Sequence, residues 1–214
     1  MDSCQEKIRD CGQAARKFTW DVKKGKRIRS GIVPVSGCDI MEAGMDKGRI
    51  IFLNGVTSAG KTSIVEALQE RDDIFFYVVA NDLFQEMVGD KYLRENYWKY
   101  LSEVIIMMYH TAKLYSDMGK NVLIDGILVE RDEITPHYQQ LVEIMKDNPF
   151  DLVEVYCPLD ICRKRNMIRG DRYESQSDEQ HELMAENIKY RLRVDTSLYS
   201  ASECADIIVK ALFE

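Results

Sequence analysis

Gly55-Val56-Thr57-Ser58-Ala59-Gly60-Lys61-Thr62 constrains this chain more than any other stretch. It satisfies GxxxxGK[ST], directly after the apolar run Ile50-Ile51-Phe52-Leu53 and directly before a segment with helical spacing from Lys61 to Gln69. A strand, a glycine-bounded loop and a helix in that order make a cradle for phosphate. The glycines let the backbone curl so that successive amides point inward, and the helix adds unsatisfied N–H groups and the positive end of its dipole. Lys61 is expected to neutralise the β and γ phosphates of ATP, and Thr62 to offer its hydroxyl to Mg²⁺. Gly55, Val56, Thr57, Ser58, Ala59, Gly60, Lys61, Thr62 and Ser63 form the expected nucleotide-binding set.

Beyond that loop, short apolar runs alternate with longer amphipathic stretches, the pattern of a parallel α/β sheet. Strands are expected at Ile50–Leu53, Ile74–Val79, Val122–Ile124, Leu152–Tyr156 and Leu192–Val194. Helices are expected at Lys61–Gln69, from near Asp82 to Val88, around Tyr97–Met118, before Asn148-Pro149, and after Ser200, whose spacing to Glu203 is that of a capping box, through about Leu212. Residues 1–48 read as a basic N-terminal extension, a loose arm or small hairpin, and 49–214 as the main domain. Residues 1–31 hold Lys7, Arg9, Arg16, Lys17, Lys23, Lys24, Lys26, Arg27 and Arg29 against Asp2, Glu6, Asp10 and Asp21.

The run Val122-Leu123-Ile124 delivers Asp125 to the carboxyl edge of its strand, where a carboxylate can hold a magnesium-bound water or touch substrate. A cap on the turn before Gly126 is the simpler reading of that acid. Phosphoryl transfer to a hydroxyl also needs a group that orients and deprotonates it. Asp82, following the second strand, is the candidate. Position alone serves Asn81 or Asp82 equally well as a helix N-cap. Arg165 and Arg169, four apart on one helix face, and Arg172 just past Gly170, could gather on a transferring phosphoryl group as lid arginines, with Gly170 as a hinge. The plainer alternative is a solvated helix end paired with Asp160 and Asp171.

With 214 residues, 45% of them hydrophobic, the chain can bury one sizeable core without cross-links. Its six cysteines have no CxxC pair, which suits reduced thiols, and His110, His137 and His181 share no ligand spacing, so His110 reads as ordinary helix packing. No stretch approaches a membrane span and no apolar leader opens the chain, so a cytoplasmic protein is expected. A formal net charge of −7 argues against nucleic acid as a ligand, while the basic arm leaves room for a partner of its own. Association with a second copy is left open.

Taken together, these residues resemble the chloramphenicol phosphotransferase family, P-loop kinases that phosphorylate a hydroxyl of an antibiotic. The resemblance rests on Ile51-Phe52-Leu53-Asn54-Gly55 with Thr57-Ser58-Ala59-Gly60-Lys61-Thr62, on Asp82, on Val122-Leu123-Ile124-Asp125, on Cys157 through Arg169-Gly170-Asp171-Arg172, on Val194-Asp195-Thr196-Ser197 and on Glu203-Cys204-Ala205. It implies a three-layer sandwich with a mostly parallel five-stranded sheet flanked by helices. It also implies Asp82 as base, Lys61 and Thr62 on phosphate and magnesium, Arg165, Arg169 and Arg172 in the lid, and Asp195 and Thr196 near the adenine. Asn81 and Leu83 stand where the family has valine and serine, and Gly126 where members can carry a second acid. An acceptor pocket is expected from Leu83, Phe84, Met87, Tyr97, Trp98, Leu101, Ile127 and Leu128, although Leu101, Val104, Ile105, Met108, Ala112 and Tyr115 also fit a plain core stripe. The function this implies is ATP-dependent transfer of the γ-phosphate to a hydroxyl of a small molecule, a chloramphenicol-like antibiotic by resemblance. The alternatives are a kinase of a nucleoside, sugar nucleotide or other metabolite, and a nucleotide-dependent interaction module.

Overall fold

The first strand, β1 (Ile50–Asn54), is buried on both faces, as a strand in the middle of a parallel sheet must be. Its period of two sends Ile51 and Leu53 into one core cluster and Ile50 and Phe52 into the other. Every one of these four side chains is fully shielded, each contributing about 1.5–3 kcal/mol of apolar burial. The computed structural model that shows this describes residues 46–131, 137–170 and 173–214. The expected arm or hairpin up to residue 45, Cys4, Cys11 and Cys38, Asp171 and Arg172 lie outside them.

Around β1 the chain builds α1 (Lys61–Gln69), β2 (Tyr77–Ala80), α2 (Asn81–Gln85), α3 (Asp90–Glu95), α4 (Tyr97–Asp117) and β3 (Val122–Gly126). It continues through α5 (His137–Met145), β4 (Phe150–Tyr156), α6 (Leu159–Arg169), α7 (Gln176–Glu182), β5 (Leu192–Asp195) and α8 (Ala201–Phe213). The strands order as β2-β3-β1-β4-β5, all parallel, giving the expected three-layer sandwich. One layer packs α1 and α8 against the sheet through Ile64, Leu68, Cys204, Ile208 and Leu212. The other packs α4 and α5 through Leu101, Ile105, Met108, Leu141 and Met145. The helical stripe Leu101, Val104, Ile105, Met108 and Ala112 is thus core, as its spacing allows.

Some boundaries differ from expectation. The apolar run from Ile74 starts pairing only at Tyr77, whose N–H donates to Asn121 O at 2.9 Å, because the neighbouring strand begins at Val122. Phe76 is buried all the same, and Phe75 points outward at 70% exposure. The helix after β2 begins at Asn81 and ends at Gln85, short of Val88. The two short helices α3 and α7 were not expected. His110 lies on the exposed side of α4, not in the core. No described helix is long and apolar enough to cross a membrane.

Candidate active site

All strands run parallel, so their carboxyl ends converge on one edge of the sheet, and the loops leaving them share a cleft. Register fixes which residues meet there. Asp125 of β3 sits between Leu53 of β1 and Ala80 of β2, and Asp82 follows Ala80 by two residues. The resulting cavity, about 720 Å³, is lined by loop residues Thr57, Ser58 and Gly60 to Ser63, by Asn81, Asp82 and Gln85, and by Asp125 with Gly126 and Ile127. Arg165, Arg169, Gln176 and Gln180 close another side, with Thr196, Tyr199 and Ser200 beyond them.

The loop has the conformation its glycines permit. Gly60 has φ of 102°, a left-handed value that L side chains rarely adopt. A Cβ on Gly55 would stand 2.4 Å from Val155 O, so only glycine lets the chain leave β1 beside β4. Lys61 Nζ reaches back to Gly55 O at 2.8 Å and Val56 O at 3.1 Å, which fixes the ammonium over the loop. Val56 and Ala59 are buried behind the loop, so their contribution to a ligand is made by backbone.

Thr62 Oγ1 donates to Asp125 Oδ2 at 3.0 Å. Asp125 is therefore neither a turn cap nor outside its strand. Burial pushes its carboxyl above the ordinary range, and nearby Asp82 pushes the same way, while Lys61 and the Thr62 hydroxyl oppose them. Asp82 lies inside the first turn of α2, whose N-cap position is Ala80 with no side-chain cap bond. The capping reading of Asn81 or Asp82 thus fails, and Asp82 faces the cavity instead. Burial raises the Tyr97 phenol, and the charge of Asp82 adds to that.

Arg165 occupies the seam between loop and β5. Its guanidinium donates to Ser58 O at 3.3 Å, Thr196 Oγ1 at 2.9 Å and Thr196 O at 2.9 Å, and Thr196 Oγ1 donates onward to Ala59 O at 2.7 Å. Arg169 also lines the cavity; Arg172 lies outside the described residues. The helix-end alternative holds for Lys164, which pairs with Asp160 at 3.5 Å, but not for Arg165. Gly170 closes α6 as a left-handed C-cap. Asp195 is turned away: its Oδ1 accepts from Ser197 N at 2.9 Å and Ser197 Oγ at 2.6 Å, so Thr196 alone of that pair reaches the cavity.

Of the residues expected to form an acceptor pocket, Tyr97, Trp98, Leu101 and Ile127 line the cavity. Leu128 is core, Phe84 packs against the core, and Leu83 and Met87 are 55% and 73% exposed, so four of the expected pocket residues are elsewhere. Sequence reasoning missed Gln85, Val129, Gln176 and Gln180. It also passed over Asn54 as a site element: its Oδ1 accepts from Leu128 N at 2.9 Å and its Nδ2 donates to Tyr190 Oη at 2.6 Å, clamping the loop after β3 to the start of the phosphate loop. A polar residue ending an otherwise apolar, fully buried strand was the available signal.

A parallel sheet whose first strand feeds a glycine-shaped loop, with an acid on the adjacent strand end bonded to the loop's threonine, defines a P-loop kinase. Residues 48–213 match the family model described as chloramphenicol phosphotransferase-like protein, and the chain belongs to that family. It is 24% identical over 187 residues to a putative O-phosphotransferase of Mycobacterium tuberculosis, covering 76% of this chain and 81% of that one. It is also 26% identical over 179 residues to the bifunctional enzyme CysN/CysC of Rhodopirellula baltica, covering 78% of this chain and 26% of that protein, so the chain spans about a quarter of its length. Among solved structures, the APS kinase CysC of Mycobacterium tuberculosis in complex with AMPPNP and APS superposes with a TM-score of 0.61 at 18% identity, over 78% of this chain and 99% of that one. A gluconokinase from Sinorhizobium meliloti 1021 gives 0.53 at 17% identity, over 79% and 93%. At those identities the likeness is one of fold.

Proposed function

We propose that the protein transfers the γ-phosphoryl group of ATP to a hydroxyl of a small molecule, with Asp82 as the base that orients and deprotonates it. The observation that carries this is the meeting of Asp82, Asp125 and the Lys61–Thr62 loop end at one cavity large enough for a nucleotide and an acceptor together. The acceptor oxygen forms its bond to phosphorus as the bond from phosphorus to the β-phosphate oxygen breaks. The electron pair leaves with ADP, and the hydroxyl proton passes to Asp82. Lys61, already held over the loop, counters the charge of the phosphates, and Arg165 keeps Ser58 and Thr196 in place around them.

Thr62 Oγ1 and Asp125 Oδ2 fit Mg²⁺ as a hard oxygen pair on one side of the cavity, a partial set of the kind this ion completes with water and phosphate oxygens. When bound there, the ion would supply charge neutralisation on the phosphates. The acceptor we favour is a chloramphenicol-like antibiotic, an aromatic alcohol of a kind that Tyr97, Trp98, Leu101 and Ile127 could pack against.

The test is mass spectrometry of antibiotic and metabolite mixtures incubated with protein, ATP and Mg²⁺, looking for a gain of one phosphate on an alcohol. Asp82→Asn should lower turnover by about 10²–10⁴-fold while leaving nucleotide binding nearly intact. Undiminished transfer by that variant would refute Asp82 as base. Lys61→Ala should abolish transfer.

A further inference from the structure

The short helix α7 reaches into the phosphate loop. Gln180 Oε1 accepts the Thr57 backbone N–H at 2.5 Å, across 123 residues of sequence. A backbone N–H can be met only by the oxygen of a carboxamide, so this bond settles which end of Gln180 is which. The Nε2 donors are left for the cavity that Gln180 lines together with Lys61, Asp82 and Arg169. Among the described residues Nε2 makes no hydrogen bond. The carboxamide thus takes up one amide donor of the loop and keeps two donors of its own on a residue that lines the cavity.

The helix that carries Gln180 is pinned on both sides. Asn166, fully buried in α6, donates to Glu174 O at 3.1 Å and Ser177 Oγ at 3.0 Å. Arg163 grips Asp178 through two bonds, one of 3.0 Å from Nε to Oδ2. Past the helix end, Glu130 N donates to Leu183 O at 2.8 Å and Ala185 N to Leu128 O at 2.9 Å, tying this segment to the loop after β3. A side chain held by a fixed helix at one end and a loop amide at the other is preorganised, so it need not be ordered again when a ligand arrives.

We propose that Gln180 is a triphosphate-sensing residue: its Nε2 donates to the terminal phosphate of a nucleoside triphosphate seated in the loop. This rests on the kinase reading above and deepens it, because it names the group by which the site tells a triphosphate from a diphosphate. Lys61 counters charge on either nucleotide, whereas a donor aimed only at the third phosphate favours the loaded substrate and lets the spent one go. Through Leu183 and Ala185, the same segment also meets the wall carrying Ile127 and Val129, so the donor that reads the phosphate stands on the support of the acceptor side.

The experiment is equilibrium binding of ADP and of a non-hydrolysable ATP analogue, both with Mg²⁺, to the full chain and to two variants. Gln180→Glu keeps an oxygen for Thr57 N–H but replaces the donors with a second anionic oxygen. Gln180→Met keeps the volume and removes both functions. In Gln180→Glu, ADP affinity should stay near wild type while the analogue weakens about tenfold or more, so that the triphosphate preference collapses. Gln180→Met should reduce the same preference by a smaller factor and also lower thermal stability, since Thr57 N–H loses its partner. A purely structural role predicts the reverse order, with Gln180→Glu close to wild type in its nucleotide ratio; that result would overturn the inference alone. A wild type that binds neither nucleotide overturns the kinase reading and this inference with it.

Discussion

Arg165 shows how a residue singled out in sequence acquires its role in three dimensions. Its spacing to Arg169 marks a shared helix face, but only the fold reveals that its guanidinium fork ends on backbone and hydroxyl oxygens of the loop and of Thr196. Planar, multiply donating arginine suits such a seam, and a lysine could not span it. His137 is a second case. It is fully buried, with Nε2 3.0 Å from Ser102 Oγ, and burial pushes its pKa below the ordinary value. The unfolded chain therefore takes up the proton first as pH falls. Stability is whole above the unfolded pKa of about 6.5 and declines as pH drops from there toward the depressed folded value, by at most about 1.4 kcal/mol per pH unit. His137→Gln should flatten that part of the profile, measured as urea midpoints of the two proteins across the mildly acid range; parallel profiles would show that His137 does not titrate differently on folding. Legibility at this scale follows chemistry. The residues of GxxxxGK[ST], Asp82 and Asp125 announce themselves by type and spacing, whereas Gln180 is an ordinary glutamine in a polar stretch and becomes notable only through Thr57.

Elements were legible where apolar side chains had to be buried. The strands show as short apolar runs, and the helices α1, α4 and α8 carry apolar periods that leave one choice of face. The helices α3 and α7 carry none: α3 buries no side chain and α7 buries only Ser177. Tertiary bonds, such as those from Asn166 and Arg163, hold α7 where propensity does not, and a local reading has no access to them. The last helix shows the opposite. Ser200 Oγ accepts from Glu203 N at 3.3 Å, and Glu203 Oε2 accepts from Ser200 N at 2.8 Å, the reciprocal pair that the sequence spacing promised. Its buried stripe of Cys204, Ala205, Ile208, Val209 and Leu212 ties that end to the core. Ser200→Ala should cost about 1 kcal/mol of unfolding free energy, read from a lowered urea midpoint at unchanged m-value. No change in midpoint would mean that the box is replaced by water without loss.

At the scale of the whole chain, alternation of strands and helices gives the parallel sheet, and the sheet gives the cleft. Glycines and Pro34 suggest a start near Arg49, and two residues just ahead of that point also make bonds. Gly48 N donates to Ser116 O at 2.9 Å, and the buried Ser116 Oγ returns to Gly48 O at 2.5 Å. Lys47 Nζ meets Asp117 Oδ1 at 3.0 Å; although burial pushes the Asp117 carboxyl up, hydrogen bonds from Lys113, Asn148 and Lys47 bring it down to about 2. Among the described residues the cavity is lined from Thr57 to Ala201, and the proposed chemistry is assigned to residues in that range. Two truncations separate these points. A chain starting at residue 46 should keep Mg²⁺-dependent nucleotide binding and transfer within roughly a factor of two of the full chain. One starting at residue 49 leaves the buried Ser116 hydroxyl without its acceptor, and should unfold about 1–2 kcal/mol more easily in urea. Equal stability of the two would refute the role given to Gly48. Loss of transfer in the chain starting at residue 46 would show instead that the segment ahead of it takes part in the reaction.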